Sequence, residues 1–415
     1  MSAERASSGE TSTAKPLTGV RVIDLTVWFQ GPVAAQHLAD FGAEVIHVER
    51  PQGGDFGRGV RTIKAVPVGD WNQYFLVINR NKKSLAVDLK QEAGQEIMRR
   101  LVERSDVFLS NLGEDNLERW QLTYERLGEI NPRLVYALAS GYGRYGGMNK
   151  PAFDLTVQAL TGLMSRLGEP GQPPIYAGMG SGDAIGGLMA ALGVLLALYQ
   201  RRRTGRGQQI NASLYGAQLF LAAPTLQPYL ASRDDRLARQ RSRMDAPNPL
   251  WNTYPTNDGW VFLCLENTDD NWSALCRSLD DAALACDQRF ATATGRREHA
   301  AALVAALDER LAKRGDGEWL ERWRAAGITA SRINNLADLA RDPQAWENGY
   351  FTKAYCEEVQ REVDVRGVPV RLSKTPGAVE TLGPELGQHT EEILVETLGY
   401  TWEQIGELKA QGVIL

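Results

Sequence analysis

The chain has 415 residues, 43% of them hydrophobic, and a formal charge of −5 at pH 7, enough apolar content to bury a core in about two or three domains. That excludes a small stapled scaffold, and the mildly acidic balance speaks against nucleic acid or a membrane surface as the main partner. Cys264, Cys276, Cys286 and Cys356 form no C-x-x-C pair and show no metal-ligand spacing with the four histidines, so they read as reduced thiols of a cytoplasmic protein without a metal site.

Residues 1–15 are rich in Ser, Thr, Ala and Glu with no apolar run, which predicts a flexible leader rather than a signal peptide. Beyond them, apolar runs of strand length alternate with stretches of helical period, the pattern of a mainly parallel α/β sheet. A strand is expected at 20–25, a helix at 32–40 with Pro32 in its first turn, and a strand at 43–48, together one βαβ unit. A strand at 85–87, a helix at 91–103 and strands at 107–109 and 134–139 follow. An apolar helix is expected from Asp183 to about Tyr199, then a strand at 209–214. Its stretch 184–198 is too short and too glycine-rich for a bilayer span. Residues 16–230 thus form a large α/β domain, and 231–249, crowded with charge and prolines, a linker. Residues 250–342 form a smaller α+β domain with strands at 260–265 and 328–333, and 343–415, strand-like at 363–372, return to the large domain.

Two segments invite a chemical reading. Gly141-Tyr142-Gly143-Arg144-Tyr145-Gly146 is a G-x-G-x-x-G after a predicted strand, but it runs into Gly147, Asn149 and Pro151 before a helix can start, so a flexible active-site loop is the better reading than a dinucleotide site. Asp183 ends the run Gly178-Met179-Gly180-Ser181-Gly182 just before the apolar helix. The commoner role of such an Asp is an N-cap, held ionised by backbone N–H groups and the helix dipole. The same features suit a carboxylate nucleophile, with Gly186 and Gly187 leaving room for a bulky thioester.

Longer motifs narrow the choice. In order they are Pro16-Leu-Thr-Gly-Val-Arg-Val-Ile-Asp24, Gly31-Pro32, Leu38-Ala-Asp-Phe-Gly-Ala-Glu-Val-Ile-His-Val-Glu-Arg50, Asn79-Arg-Asn-Lys-Lys-Ser-Leu-Ala-Val-Asp-Leu-Lys90, Ile130-Asn-Pro-Arg-Leu134, Thr204-Gly-Arg-Gly-Gln208 and Leu386-Gly-Gln-His-Thr390. From Pro16 onward the chain resembles the class III CoA-transferases, the family of formyl-CoA:oxalate and crotonobetainyl-CoA:carnitine transferases. The resemblance implies a Rossmann-like large α/β domain with a smaller α+β domain in an interlocked homodimer. It also implies transfer of coenzyme A from an acyl-CoA ester to a carboxylic acid with no permanently bound cofactor.

The family's nucleophile, an Asp in a Gly-Asp pair, falls on Gly182-Asp183. Its CoA-contacting positions fall on Phe29, Gln30, Arg50, Val87, Asp88, Leu89, Lys90, Asn111, Leu112, Gly113 and Arg119. Asp154 matches an acidic position and is either an active-site acid or a structural hydrogen-bonding group. The chain departs from the family at Asn111-Leu112-Gly113-Glu114-Asp115, where members read Asn-Phe-Arg-Pro-Gly. It departs again at Phe29, a glutamine in the formyl-CoA enzyme, and at Asp245 to Trp251, which has no glycine run. Formyl or oxalate chemistry is therefore not expected. Racemases of the same fold place a proton-exchanging histidine where Phe153 stands, which disfavours racemisation, and a non-catalytic CoA-ester-binding paralogue is disfavoured by the retained Gly182-Asp183.

Overall fold

The structure, a computed structural model, describes residues 14–63, 66–148 and 151–415. The leader expected at 1–15 therefore lies outside the described residues except for its last two. The chain divides into two compact units: residues up to Leu163 with Tyr176–Gln227 and Gln344–Leu415, and Met164–Ile175 with Pro228–Pro343. The stretch read as a linker, 231–249, belongs to the second unit and carries a short helix, Asp235–Ala238.

In the first unit, six strands form one parallel sheet: β1 (Arg21–Leu25), β2 (Glu44–Glu49), β3 (Lys82–Ala86), β4 (Val107–Ser110), β5 (Val135–Ser140) and β6 (Gln209–Ser213). Their order is β3-β2-β1-β4-β5-β6. Successive side chains point to opposite faces of a strand, and here both sets are buried. Val22, Val45, Val107, Val135 and Ala137 enter one apolar cluster, and Ile23, Ile46, Phe108 and Tyr136 enter another. This is why the strands read as continuous apolar runs.

The first cluster is closed by helices α1 (Gln30–Asp40) and α4 (Ser181–Thr204). The second is closed by α2 (Glu92–Glu103), whose Ile97, Met98, Leu101 and Val102 form one buried stripe, and by residues 393–414. Two further helices, α3 (Asp154–Leu160) and α5 (Leu214–Ser232), flank the end of the sheet. The helix expected from Asp183 starts earlier and ends later, at Thr204, since its last turn takes in Arg201, Arg202 and Arg203. At 24 residues it is, among the described residues, the one helix long and apolar enough to cross a membrane, which corrects the expectation that this segment is too short. Its Ala190, Ala191, Val194 and Ala197 are buried against the sheet and α1.

The second unit holds a three-stranded antiparallel sheet, with Trp260–Cys264 between Trp251–Pro255 and Ala330–Arg332. Its core includes Trp272, Phe290, Trp319 and Trp323.

The motif Asn79 to Lys83 fastens the returning segment 344–415 to the first unit. Arg80 is fully buried and pairs with Asp40 at 2.9 and 2.7 Å while donating to the carbonyls of Arg366 and Gly367. Asn81 donates to Asp40 and the Ala378 carbonyl and accepts from the Glu380 and Thr381 N–H groups. Arg80→Ala strips the buried Asp40 of its cation, and we expect it to destabilise the chain by about 3 to 5 kcal/mol, read as a lower denaturation midpoint in urea.

Candidate active site

In an open parallel sheet the crevice lies beyond the carboxyl ends of the strands, where the strand order reverses. Here that point falls between β1 and β4. A cavity of about 460 Å³ opens there, lined by Val27–Gln30 after β1, Ser110–Glu114 after β4, Gly141–Tyr145 after β5, and Phe153, Asp154, Asp183 and Asn211. The glycine-rich loop at 141–147 thus forms a cavity wall and opens no helix.

Asp154 and Asp183 divide the polar work at the start of α4. Asp154 is buried, and its Oδ1 accepts from the Gly182 N–H at 2.9 Å and Gln218 Nε2 at 3.1 Å. Its Oδ2 accepts from the Gly180 N–H at 2.7 Å and Gln158 Nε2 at 2.9 Å. Both oxygens are taken up by donors of the protein, the arrangement of a structural clamp. Gly182 is required for it, because a Cβ there would lie 2.1 Å from Gln218 Nε2 and 2.4 Å from Asp154 Oδ1. Gln158, on α3, stands in a stretch, Gln158-Ala159 with Gly162, that belongs to the family resemblance, but without a role attached to it; Gln218, on α5, was not singled out, since a glutamine carries no positional signal until the helices are placed.

Asp183 is not the N-cap. Gly180 holds that position with φ of +82°, and Asp183 sits in the first turn of α4. Among the described residues its half-buried carboxylate has no hydrogen-bond or ion-pair partner, and it faces the cavity. Burial pushes its pKa up to about 7, and the charge of Asp154 adds to the rise. Since Gly180 is the cap and burial and Asp154 both favour the protonated form, the expectation of a cap-stabilised, readily ionised carboxylate is corrected. Gly186 and Gly187 are not open to a ligand either. Added Cβ atoms there would meet Gln30 Nε2 at 2.7 Å and Gln30 O at 2.6 Å, so these glycines serve the close packing of α4 on α1.

Of the CoA-contacting positions carried over from the resemblance, Phe29, Gln30, Asn111, Leu112 and Gly113 line the cavity. The Asn111 side chain accepts from the Val27 N–H at 2.9 Å and donates to its carbonyl at 2.7 Å, tying the turn after β4 to that after β1. Arg50, Val87, Asp88, Leu89, Lys90 and Arg119 do not reach the cavity. The Val87 and Leu89 side chains are buried in the core, and their backbones are engaged as well, the Val87 N–H by the Glu49 carbonyl and the Leu89 carbonyl by Gln95. Asp88 is engaged by the Lys90 N–H and by Gln91. Lys90 is exposed beyond β3, Arg50 is exposed beyond β2, and Arg119 lies on the helix after β4 beside Asn116. Trp28 adds a wall residue. Its φ of 67° is unusual for a non-glycine, and its ring stacks on Phe56 at 5.4 Å while Phe29 contacts Tyr74 at 5.9 Å.

The description "CoA-transferase family III" matches residues 17–390. The chain belongs to that family. This family III chain is 34% identical to the succinyl-CoA–D-citramalate CoA-transferase of Chloroflexus aurantiacus, over 96% of this chain and 98% of that one. It is 32% identical to the human succinyl-CoA:glutarate CoA-transferase, over 98% and 91%. A solved CAIB/BAIF family protein from Brucella suis superposes with a TM-score of 0.82 at 32% identity, covering 92% of this chain and 100% of that one.

The raised pKa of Asp183 makes a stability prediction. With a folded value of about 7 against 3.8 for a free carboxyl, the folded chain holds this proton more tightly than the unfolded one. The stabilisation is complete below the unfolded value and is lost as pH rises through the folded one. Asp183→Asn, which does not titrate, should gain melting temperature relative to the wild type from about pH 4 to about pH 7, with a constant difference above.

Proposed function

We propose that this family III CoA-transferase moves coenzyme A through covalent intermediates on Asp183. The observation that carries the reading is one unpartnered carboxylate, raised to about 7 and facing a cavity at the switch point of the sheet. An Asp183 oxygen attacks the donor thioester carbonyl, the C–S bond breaks, and CoA thiolate leaves a mixed anhydride. The thiolate then attacks the aspartyl carbonyl, releasing the donor acid as its carboxylate and leaving an aspartyl-CoA thioester. An acceptor carboxylate reverses the sequence through a second anhydride, so protons and electrons balance without a bound cofactor.

The Gly180 and Gly182 N–H groups are spent on Asp154, so the oxyanions fall to the backbone of the loop 141–147. A neighbouring strand lies about 4.8 Å away. The ends of β3, β2, β1, β4 and β5 therefore form a row of about 19 Å, along which an extended CoA ester would run from Lys90 and Arg50 to Asp183. We assign a homodimer, on the exposed Leu188, Leu192, Leu195, Leu196 and Tyr199 of α4 and Phe220 of α5. A cytoplasmic location is consistent with the four free cysteines.

Asp183→Asn should lower transfer from succinyl-CoA by about a thousandfold or more. In the wild type, kcat/KM for the donor should rise with pH through an apparent pKa of about 7, since only the ionised carboxylate attacks. A profile flat from pH 5 to pH 9 would remove Asp183 from the role. Trp28, Phe29, Tyr142, Tyr145 and Phe153 give the cavity aromatic walls, so acceptors with an apolar portion, such as glutarate or a branched acid, should exceed oxalate by about tenfold or more in kcat/KM. Phe29→Gln should narrow that ratio.

A further inference from the structure

Beneath the turn that carries Trp28 lies a buried cluster of charge that the mechanism above does not use. Asp24 of β1, Glu49 of β2 and Asp55 supply three carboxylates, all buried. Lys82 donates to Asp24 Oδ2 at 2.8 Å, to the Pro32 carbonyl and to Asn79. Arg58 pairs with both oxygens of Glu49 at 2.6 Å. Three acidic groups therefore stand against two basic ones, Lys82 and Arg58. The sixth member is His47, fully buried, with Nδ1 at 3.0 Å from Asp24 Oδ2 and Nε2 at 3.6 Å from Asp55 Oδ2. Among the described residues neither His47 Nε2 nor Asp55 Oδ2 has a hydrogen-bond partner, and both are sealed from solvent, so they face each other.

Isolated buried charge is costly, and an imidazolium at position 47 brings the cluster to neutrality. Burial alone would lower the His47 pKa, but the charge of Asp24, its hydrogen bond to Nδ1 and the Asp55 carboxylate beside Nε2 outweigh it and raise the value to about 9. The far oxygen of Asp55, Oδ1, accepts from the Trp28 N–H at 3.3 Å and the Gly57 N–H at 2.7 Å. Those donors bracket the two stacked rings, since Phe56 precedes Gly57 and lies parallel to Trp28 within 13°. Arg50 covers Phe56 at 4.6 Å.

We infer that His47 is a positioning residue of the CoA-ester site: it spans Asp24 and Asp55, fixes Asp55, and through the Trp28 and Gly57 N–H groups sets the Trp28–Phe56 stack at the cavity wall. The inference rests on the CoA-transferase reading and adds to it a residue that touches no substrate. The stack packs against Arg50 and carries no reacting group, so its loss weakens binding of the ester in ground and transition states alike.

The test measures kcat and KM for succinyl-CoA in the wild type and in His47→Gln, His47→Lys, Asp55→Asn and the His47→Gln/Asp55→Asn double variant. Wild-type inactivity with every acceptor acid would fail the transferase reading itself, separately from this inference. With an active wild type, His47→Gln and Asp55→Asn should each raise KM by about tenfold or more while kcat stays within about threefold. The double variant should be no worse than the poorer single, because both cut one chain of contacts. His47→Lys, which keeps the cation, should stay within about threefold of the wild type. If His47→Gln fails to fold, Asp55→Asn, which leaves Asp24, His47 and Lys82 in place, is compared with Trp28→Ala and the pair combined, with equal and non-additive rises in KM expected. Unchanged KM, a loss confined to kcat, additive losses, or a His47→Lys variant as impaired as His47→Gln would overturn the inference.

Discussion

One carboxylate decides what the other can do. Asp154 takes the Gly180 and Gly182 N–H groups and two glutamine amides, and Asp183 receives none of them. An aspartate in the first turn of a helix ordinarily finds backbone donors and stays a weak base. Here the donors are already committed, the neighbouring charge is negative, and burial denies water. Asp183 is thereby kept both basic and open to the cavity, two properties a nucleophilic carboxylate needs and a capping carboxylate lacks. The lack of a side chain at position 182 is what lets the clamp close, so the Gly-Asp pair is a physical unit: the glycine admits Asp154, and Asp154 leaves the aspartate exposed.

The sheet supplies the place. Because β1 lies at the centre and the chain leaves it in opposite directions, the turns after β1 and β4 part from each other and open the crevice. Asn111 bridges that gap through both polar atoms of Val27, fixing its width. The wall beyond β1 stands on the buried ion cluster, and the wall beyond β5 is glycine-rich loop.

Much of this was legible in the sequence. β1, β2, β4 and β5 coincide with apolar runs, as strands buried on both faces mostly do, whereas β3 starts at Lys82, ahead of the run expected at 85–87, and β6 is the polar, partly exposed edge Gln209–Ser213; Gly182-Asp183 could be located from the motifs. What was not legible depended on contacts distant in the chain. Asp183 looked like a cap because Gly180 is the residue that adopts the capping conformation, and nothing near Asp183 announces that Asp154, on another helix, has taken the donors. Gly186 and Gly187 looked like room for a ligand, whereas α1 fills that space. Val87 and Leu89 stood in a motif associated with CoA, but the alternation that begins in β3 carries their side chains into the core. His47 sat in plain view within a strand and had no apparent chemistry until Asp24, Asp55 and Lys82 were brought around it.

The last residues of the chain finish the edge of the sheet. Just past β3, Val87 pairs with Ile414 in an antiparallel bridge, and the Asp88 N–H donates to the Val413 carbonyl. Contacts between residues some 300 positions apart, such as Arg80 with Gly367, complete the first unit, and all of the second unit's main segment, Pro228–Pro343, is made in between. During synthesis from the N-terminus, β3 must therefore wait with an unpaired edge while the rest of the chain emerges. Such a delay favours association with another exposed edge. The same topology links the candidate site to the tail: a chain cut short before Gly387 would carry Asp183 and every cavity residue yet lack His389 and Thr390, which cover the outer strand of its sheet.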